Sequence, residues 1–118
     1  MVKDITVRTF DFALRIIKLC QTLDEKPGVS RTIAKQLLRS GTSIGANVEE
    51  GQGGQSRADF VSKISIACKE ARETHYWLRL LAESETISRE RLVDLIRESD
   101  ELIAILTSII KNTKANSP

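Results

Sequence analysis

Residues 39–51 read R-S-G-T-S-I-G-A-N-V-E-E-G, and the apolar residues before them repeat with the period of a helix. Gly41 and Gly45 stand four residues apart, so they share one face of that helix. Each glycine costs about 1 kcal/mol relative to alanine in a helix interior. A helix that carries this cost needs its backbone close to a neighbour, and we expect the glycine face to pack closely on another element.

On both sides of this stretch, apolar residues recur at intervals of three and four, which predicts four helices. The predicted helices cover residues 6–23, 30–50, 56–82 and 88–111, and the polar segment 112–118 is expected to be a flexible tail. Connections of about four to six residues force consecutive helices to run antiparallel. Residues 1–118 are therefore predicted to form one all-α domain, an antiparallel up-down-up-down four-helix bundle.

The first helix carries more apolar residues than one contact face requires. The stripe expected to face the core consists of Val7, Phe10, Ala13, Leu14, Ile17 and Cys20. A second apolar line, Phe12, Ile16 and Leu19, falls outside that stripe. Together with Tyr76, Trp77 and the wide apolar arc of the fourth helix, this surplus would leave a large apolar patch in water. The surplus predicts assembly into a closed homo-oligomer, and the alternative is that these residues are simply exposed, as single apolar residues often are.

The third helix has the most regular pattern. Ser56, with Asp59 three residues later, is expected to cap its N-terminus. The seam expected to face the core is Phe60, Ile64, Ala67, Ala71, Thr74, Leu78 and Leu81. Because Ala67 and Ala71 are small, we expect them to face the two glycines of the second helix.

The second helix ends on two carboxylates, Glu49 and Glu50. The helix dipole disfavours negative charge at this end. At least one of the two is therefore expected to pair with a cation of the third helix, and Arg57 and Lys63 are the candidates.

Composition excludes several classes of protein. Hydrophobic residues make up 41% of the chain and charged residues 29%, which is typical of a globular protein rather than a disordered one. No apolar run approaches the roughly 20 residues of a membrane span, and the N-terminus lacks a secretory-signal pattern. Cys20 and Cys68 lie in apolar helical contexts, which favours reduced, packed thiols over a disulfide. We expect a cytoplasmic protein with no membrane partner.

No cluster of residues predicts catalysis, a cofactor or a metal. His75 is the only histidine, and Glu73 precedes it by two residues rather than the three of a Glu-x-x-His metal pair. Glu70 and Glu73 have no nucleophile beside them, and ion pairing with Lys69 or Arg72 is the expected role. The protein is therefore expected not to be an enzyme.

Basic residues concentrate near the N-terminus, where residues 1–40 hold eight Lys or Arg against four Asp or Glu. Six of them form two lines, one on each of the first two helices. This predicted basic set is Arg8, Arg15, Lys18, Arg31, Lys35 and Arg39. If the two lines are neighbours, they form a positive surface suited to phosphate contacts, which an oligomer would repeat. A merely solubilising face explains the same pattern.

Four stretches of the sequence resemble the motifs of a known family. They are residues 37–51, 56–60 (S-R-A-D-F), 66–71 (I-A-C-K-E-A) and 73–78 (E-T-H-Y-W-L). From Phe10 to about Ile110 the chain resembles the bacterial four-helix bundle proteins of the 23S rRNA intervening-sequence family. The resemblance implies a homopentameric ring. A related accessory variability protein of diversity-generating retroelements binds nucleic acid and assists a reverse transcriptase, so the resemblance implies RNA or DNA as a partner.

The residues carried over from the family motif are Ser43, Asn47, Glu50 and Gly51. We interpret them as structural before functional. Asn47 and Glu50 are expected to hydrogen-bond to the third helix or to its N-terminus near Ser56.

The favoured interpretation is a non-enzymatic, oligomeric protein that binds nucleic acid, RNA in particular, through the electrostatics of the predicted basic set. The alternative is a protein-interaction scaffold with no nucleic-acid role. The two interpretations differ in salt dependence, because phosphate contacts release counterions and weaken steeply with salt.

Overall fold

The computed structural model describes residues 2–116, with side chains from Ile5 onward. Four α-helices make up almost all of this range: α1 (Val2–Asp24), α2 (Val29–Gln52), α3 (Arg57–Glu83) and α4 (Arg89–Ala115). No strand occurs among the described residues, so the predicted all-α class is confirmed. The four helices form an elongated bundle of 51 × 21 × 19 Å.

Helix α4 continues four residues beyond its expected end, into the segment that was predicted to be a flexible tail. Two hydrogen bonds support this last turn. The hydroxyl of Thr113 donates to the carbonyl of Ile109 over 2.7 Å, and Arg57 Nη1 donates to the carbonyl of Asn116 over 2.7 Å. Arg57 thereby satisfies a carbonyl that has no partner within its own helix.

Each helix packs mainly on its neighbours along the chain. The contact between α1 and α4 is much smaller than the contacts between consecutive helices. Between α1 and α2, Cys20 Sγ lies 3.4 Å from the carbonyl of Ala34, and Gln52 Nε2 donates to Thr6 Oγ1 over 2.8 Å. Early residues of one helix therefore meet late residues of its neighbour.

The glycine face of α2 packs on α1. A Cβ added to Gly41 would lie 2.8 Å from Ile16 Cγ2, and one added to Gly45 would lie 3.2 Å from Thr9 Oγ1. The expectation that Gly41 and Gly45 face the alanines of α3 was therefore wrong, because the space vacated by their missing side chains is filled by Ile16 and Thr9.

The core face of α1 is the opposite of the expected one. The side chains of α1 that are buried are Ile5, Thr9, Phe12, Ile16, Leu19, Cys20 and Leu23. The exposed large hydrophobic side chains of α1 form an outer apolar stripe of Val7 (55% exposed), Phe10 (56%), Leu14 (47%) and Ile17 (37%). Of the expected core stripe only Cys20 is fully buried, while the supposed surplus of Phe12, Ile16 and Leu19 faces the core. Both lines have helical spacing, and the line that turns inward is the one whose Ile16 packs against Gly41.

Helix α3 follows its prediction closely. Ser56 Oγ accepts a hydrogen bond of 3.0 Å from the backbone N–H of Asp59, which confirms the N-cap. The predicted seam is buried except for the half-buried Phe60. Thr74 Oγ1 lies 2.9 Å from Ser40 Oγ and 2.8 Å from the carbonyl of Glu70, so the buried hydroxyls at the α2–α3 contact satisfy one another.

Candidate nucleic-acid interface

The predicted basic set separates into paired and unpaired cations. Arg8 is paired with α4: its guanidinium donates to both carboxylate oxygens of Glu98 over 2.6 and 3.0 Å and to Glu101 over 2.8 Å. These bonds raise the pKa of Arg8 above its ordinary value. Because bidentate contacts of this kind fix both partners, Arg8 ties the start of α1 to α4.

Arg39 is paired with α3. Its Nη1 donates to Glu70 Oε1 over 3.2 Å, and its Nη2 donates to Glu73 Oε2. Glu73 also accepts a hydrogen bond of 3.0 Å from Trp77 Nε1. The two carboxylates therefore pair with Arg39 across the helix contact, and the expected pairing with Lys69 or Arg72 was wrong.

Arg31 is occupied at the end of α1. It donates to the carbonyl of Asp24 over 2.9 and 3.1 Å, and its Nε lies 3.3 Å from the Asp24 carboxylate. A cation at this position satisfies an unpaired carbonyl and complements the helix dipole. Arg31 thus has a structural role in joining α1 to α2.

The remaining members of the predicted basic set are Arg15, Lys18 and Lys35, and all three are exposed. None of them forms an ion pair with a residue in the part of the chain that the structure describes. The set therefore does not act as one uniform surface, since three members already hold protein partners and three are available for a ligand.

A second basic feature lies between α3 and α4. This cationic groove is a shallow, open depression of about 490 Å³ whose exposed surface is mainly apolar, and it is lined by Ser65, Cys68, Lys69, Arg72, Thr107, Ile110 and Lys111. Three of these side chains are exposed cations, and no lining residue is a carboxylate. Cys68 Sγ lies 3.5 Å from Thr107 Oγ1 and joins the two walls.

Sequence reasoning missed the cationic groove. Lys69 and Arg72 are three residues apart on α3 and could have been recognised as neighbours, but they were assigned to Glu70 and Glu73 instead. Lys111 is about forty residues away in the chain, and it reaches the groove because α4 packs alongside α3.

The motif residues 43–51 have structural surroundings. Glu50 Oε1 lies 3.0 Å from Lys63 Nζ, which confirms the expected pairing with α3. Gly51 is buried, and a Cβ there would lie 3.2 Å from that of Lys63. Asn47 does not bond to α3 as expected; its Nδ2 donates to the carbonyl of Ser43 over 2.8 Å. Ser43 in turn donates to the carbonyl of Arg39 over 2.6 Å, so both polar side chains bond along their own helix.

Other candidate chemistry is sparse in the described range. Cys20 and Cys68 are both free and buried, and burial together with the nearby Asp24 carboxylate raises the pKa of Cys20 to about 11. A thiol with so high a pKa is a poor nucleophile at neutral pH. Within residues 2–116, no three His, Cys, Asp or Glu residues are grouped as a metal site would need. None of the four described helices combines the length and the apolar character of a transmembrane segment.

Comparison with known proteins identifies a matching family and a similar solved structure. The model of a family described as 23S rRNA-intervening sequence protein matches residues 3–108. Among solved structures, the chain is similar to a crystal structure of a protein with unknown function from the S23 ribosomal protein family of Bacteroides thetaiotaomicron, with 46% identity and a TM-score of 0.84. This similarity covers 91% of the present chain and 98% of the Bacteroides chain. No curated protein matches the sequence.

Proposed function

The chain belongs to the 23S rRNA-intervening sequence protein family, and from that premise we propose that it is a non-enzymatic, oligomeric RNA-binding protein. The resemblance seen in residues 37–51 is thus confirmed at the level of the family. The family name refers to ribosomal RNA, which makes RNA the first partner to consider.

The observation that carries the proposal is the cationic groove. Lys69, Arg72 and Lys111 line one depression and have no carboxylate among the lining residues. By contrast, Lys63, nearer the start of α3, is paired with Glu50. Exposed cations that are grouped without acidic partners repel one another, and a polyanion relieves this repulsion. A phosphate backbone is such a polyanion, and its binding releases counterions.

The predicted basic set contributes in part. Arg15, Lys18 and Lys35 can contact phosphates without first giving up a partner, whereas Arg8, Arg31 and Arg39 would have to break the bonds described above. We therefore assign phosphate contacts on α1 and α2 to the three unpaired members. In a reducing compartment such as the cytoplasm, the two free cysteines would remain thiols.

Oligomerisation forms the second half of the proposal. The outer apolar stripe of α1 places four large hydrophobic side chains in water, with Phe10 at 56% and Val7 at 55% exposed. Stripes of this kind are covered by association when they repeat on a helix surface. A closed ring of up-down-up-down bundles, five by the family resemblance, would cover the stripe and repeat the cationic groove around its rim.

The same stripe supports a second candidate, a scaffold whose partner is another protein. In that case the stripe would hold the partner, and the cationic groove would need no ligand. The oligomeric state separates the two. We expect Leu14→Glu to reduce the mass measured by light scattering to that of one chain. The control Val93→Glu, at an exposed position of α4, should leave the mass unchanged. A monomeric wild-type protein would contradict the ring.

RNA binding is tested by fluorescence anisotropy with a labelled RNA and with protein freed of nucleic acid in high salt. The triple variant Lys69→Gln, Arg72→Gln, Lys111→Gln removes the groove cations. The triple variant Arg15→Gln, Lys18→Gln, Lys35→Gln removes the same charge from α1 and α2. We expect the first to weaken binding more than the second, because its cations share one depression. Absence of binding by the wild-type protein even at low salt would refute the function.

A further inference from the structure

We propose that the exposed face of α3 binds single-stranded RNA by stacking a base on Tyr76. The inference rests on the proposed function and adds to it the form of RNA that is bound and the residue that recognises it.

The residues concerned form a strip along one face of α3. Lys69, Arg72, Tyr76 and Arg79 follow one another at intervals of three, four and three, and all four are exposed. The ten helical steps from Lys69 to Arg79 span about 15 Å at the rise of an α-helix. Lys69 and Arg72 also line the cationic groove, so the strip is continuous with it. An aromatic ring between cations is the arrangement that holds a single strand, with bases on the ring and phosphates on the cations.

The ring of Tyr76 is placed for stacking. Its side chain is 48% exposed, although tyrosine has a large apolar surface. Trp77 contacts it edge-on, with ring centroids 5.4 Å apart and planes at 67°. Trp77 is itself fixed by its hydrogen bond to Glu73, which is paired with Arg39. The Tyr76 ring therefore has a fixed aromatic neighbour.

The group over the face of the Tyr76 ring is a cation. Arg79 Cζ lies 5.9 Å from the ring centroid, at the outer limit of a cation–π contact. The Arg79 side chain is exposed, so it can move aside for a base or cover the base from above. A guanidinium can itself stack on a base and pair with the adjacent phosphate.

This geometry selects single strands. In a duplex both faces of each base are covered by its neighbours, so a ring on a convex helix surface has no base face to contact. An unstacked base in a loop or a single strand offers that face. The same cations would contact the phosphates of either form, so Tyr76 supplies the difference between them.

The test compares a labelled 12-nucleotide RNA with its duplex, using the full chain and the variants Tyr76→Ala and Tyr76→Phe, with Val93→Ala as an exposed control. We expect Tyr76→Ala to weaken single-strand binding about tenfold and duplex binding less than twofold. Tyr76→Phe retains the ring and should restore single-strand binding. Trp77 is the single tryptophan of the chain, so stacking beside it should quench the intrinsic fluorescence of wild type and Tyr76→Phe but not of Tyr76→Ala.

Two results would overturn the inference while leaving the function intact: unchanged single-strand binding by Tyr76→Ala, or an equal loss of duplex binding. If the wild-type protein binds neither RNA, the proposed function fails and the inference fails with it. Light scattering and thermal melts of each variant, which we expect to match wild type, show that the fold and assembly are retained.

Discussion

The two sides of α3 use charge differently. On the side that packs on α2, Arg39 bonds to Glu70 and Glu73, and Lys63 pairs with Glu50. On the side that faces α4, the cationic groove brings three exposed cations together with no lining carboxylate. The first side resembles an ordinary helix contact, where charges are neutralised as they are partly buried. On the second side the cations have no carboxylate partner among the lining residues and are available to a ligand.

The number of basic residues on a helix therefore does not show which cations are free to bind a ligand. Arg39 sits in a regular basic stripe of the sequence, but its guanidinium is committed to a carboxylate that is only 8% exposed. Lys69 stands beside Glu70 in the sequence and yet lines the groove that has no carboxylate. The availability of a cation depends on which helix its side chain faces.

Removal of the ion pairs between α2 and α3 should have the largest effect on the free energy of unfolding. Arg39→Leu leaves Glu70 nearly buried without its cation, which should lower the free energy of unfolding by about 2–3 kcal/mol. Urea unfolding followed by circular dichroism measures this. Arg72→Leu, the matched change in the groove, should stay within about 0.5 kcal/mol of wild type. Equal losses in the two variants would show that the sides do not differ.

The two cysteines extend the comparison to pH. Cys20 lies in the closed α1–α2 contact, and its pKa is raised from the ordinary 9 to about 11 by burial and Asp24. Between those pH values the unfolded thiol ionises while the folded one does not. The contribution of the Cys20 thiol to the free energy of unfolding is therefore fully present below pH 9, and it falls by about 2 kcal/mol as the pH rises to 11. Unfolding at several pH values should show this loss in wild type and in Cys68→Ala but not in Cys20→Ala, and an identical pH slope in all three would contradict it.

A smaller effect concerns the hydroxyls. Thr74→Val removes the buried contact with Ser40 at 2.9 Å and should cost about 1 kcal/mol. Ser65→Ala removes an exposed hydroxyl from the groove and should leave the melting temperature unchanged within error. A larger loss in Ser65→Ala than in Thr74→Val would mean that the groove, too, is part of the structural core.

The sequence was sufficient for features that depend on neighbouring residues. Helical periodicity placed the four helices, and the Ser56 cap follows from local spacing. The unfavourable charge at the end of α2 indicated a cation of α3, Arg57 or Lys63, and the structure shows Lys63. The sequence was insufficient where two apolar lines on one helix have the same helical period. On α1, Phe12 and Phe10 belong to equally regular lines, and the choice between them depends on contact with Gly41 of another helix.

The candidate site could be predicted only in part for the same reason. Arg15, Lys18 and Lys35 were identified correctly as exposed cations, but the partners of Arg8 lie about ninety residues further along the chain. The cationic groove joins residues from two helices, and the spacing of Lys69 and Arg72 on α3 does not indicate that Lys111 of α4 lies beside them. Contacts between distant segments create such surfaces, and local spacing does not record them.

The most direct test of the contrast between the two sides is the salt dependence of RNA binding. Each phosphate contact on a single strand contributes about 0.7 to the slope of log K against log salt, so loss of three contacts should reduce the slope by about 2. We predict this reduction for the triple variant Lys69→Gln, Arg72→Gln, Lys111→Gln, measured by anisotropy over a series of salt concentrations. A slope identical to that of wild type would show that the groove cations do not contact phosphate and would contradict the account.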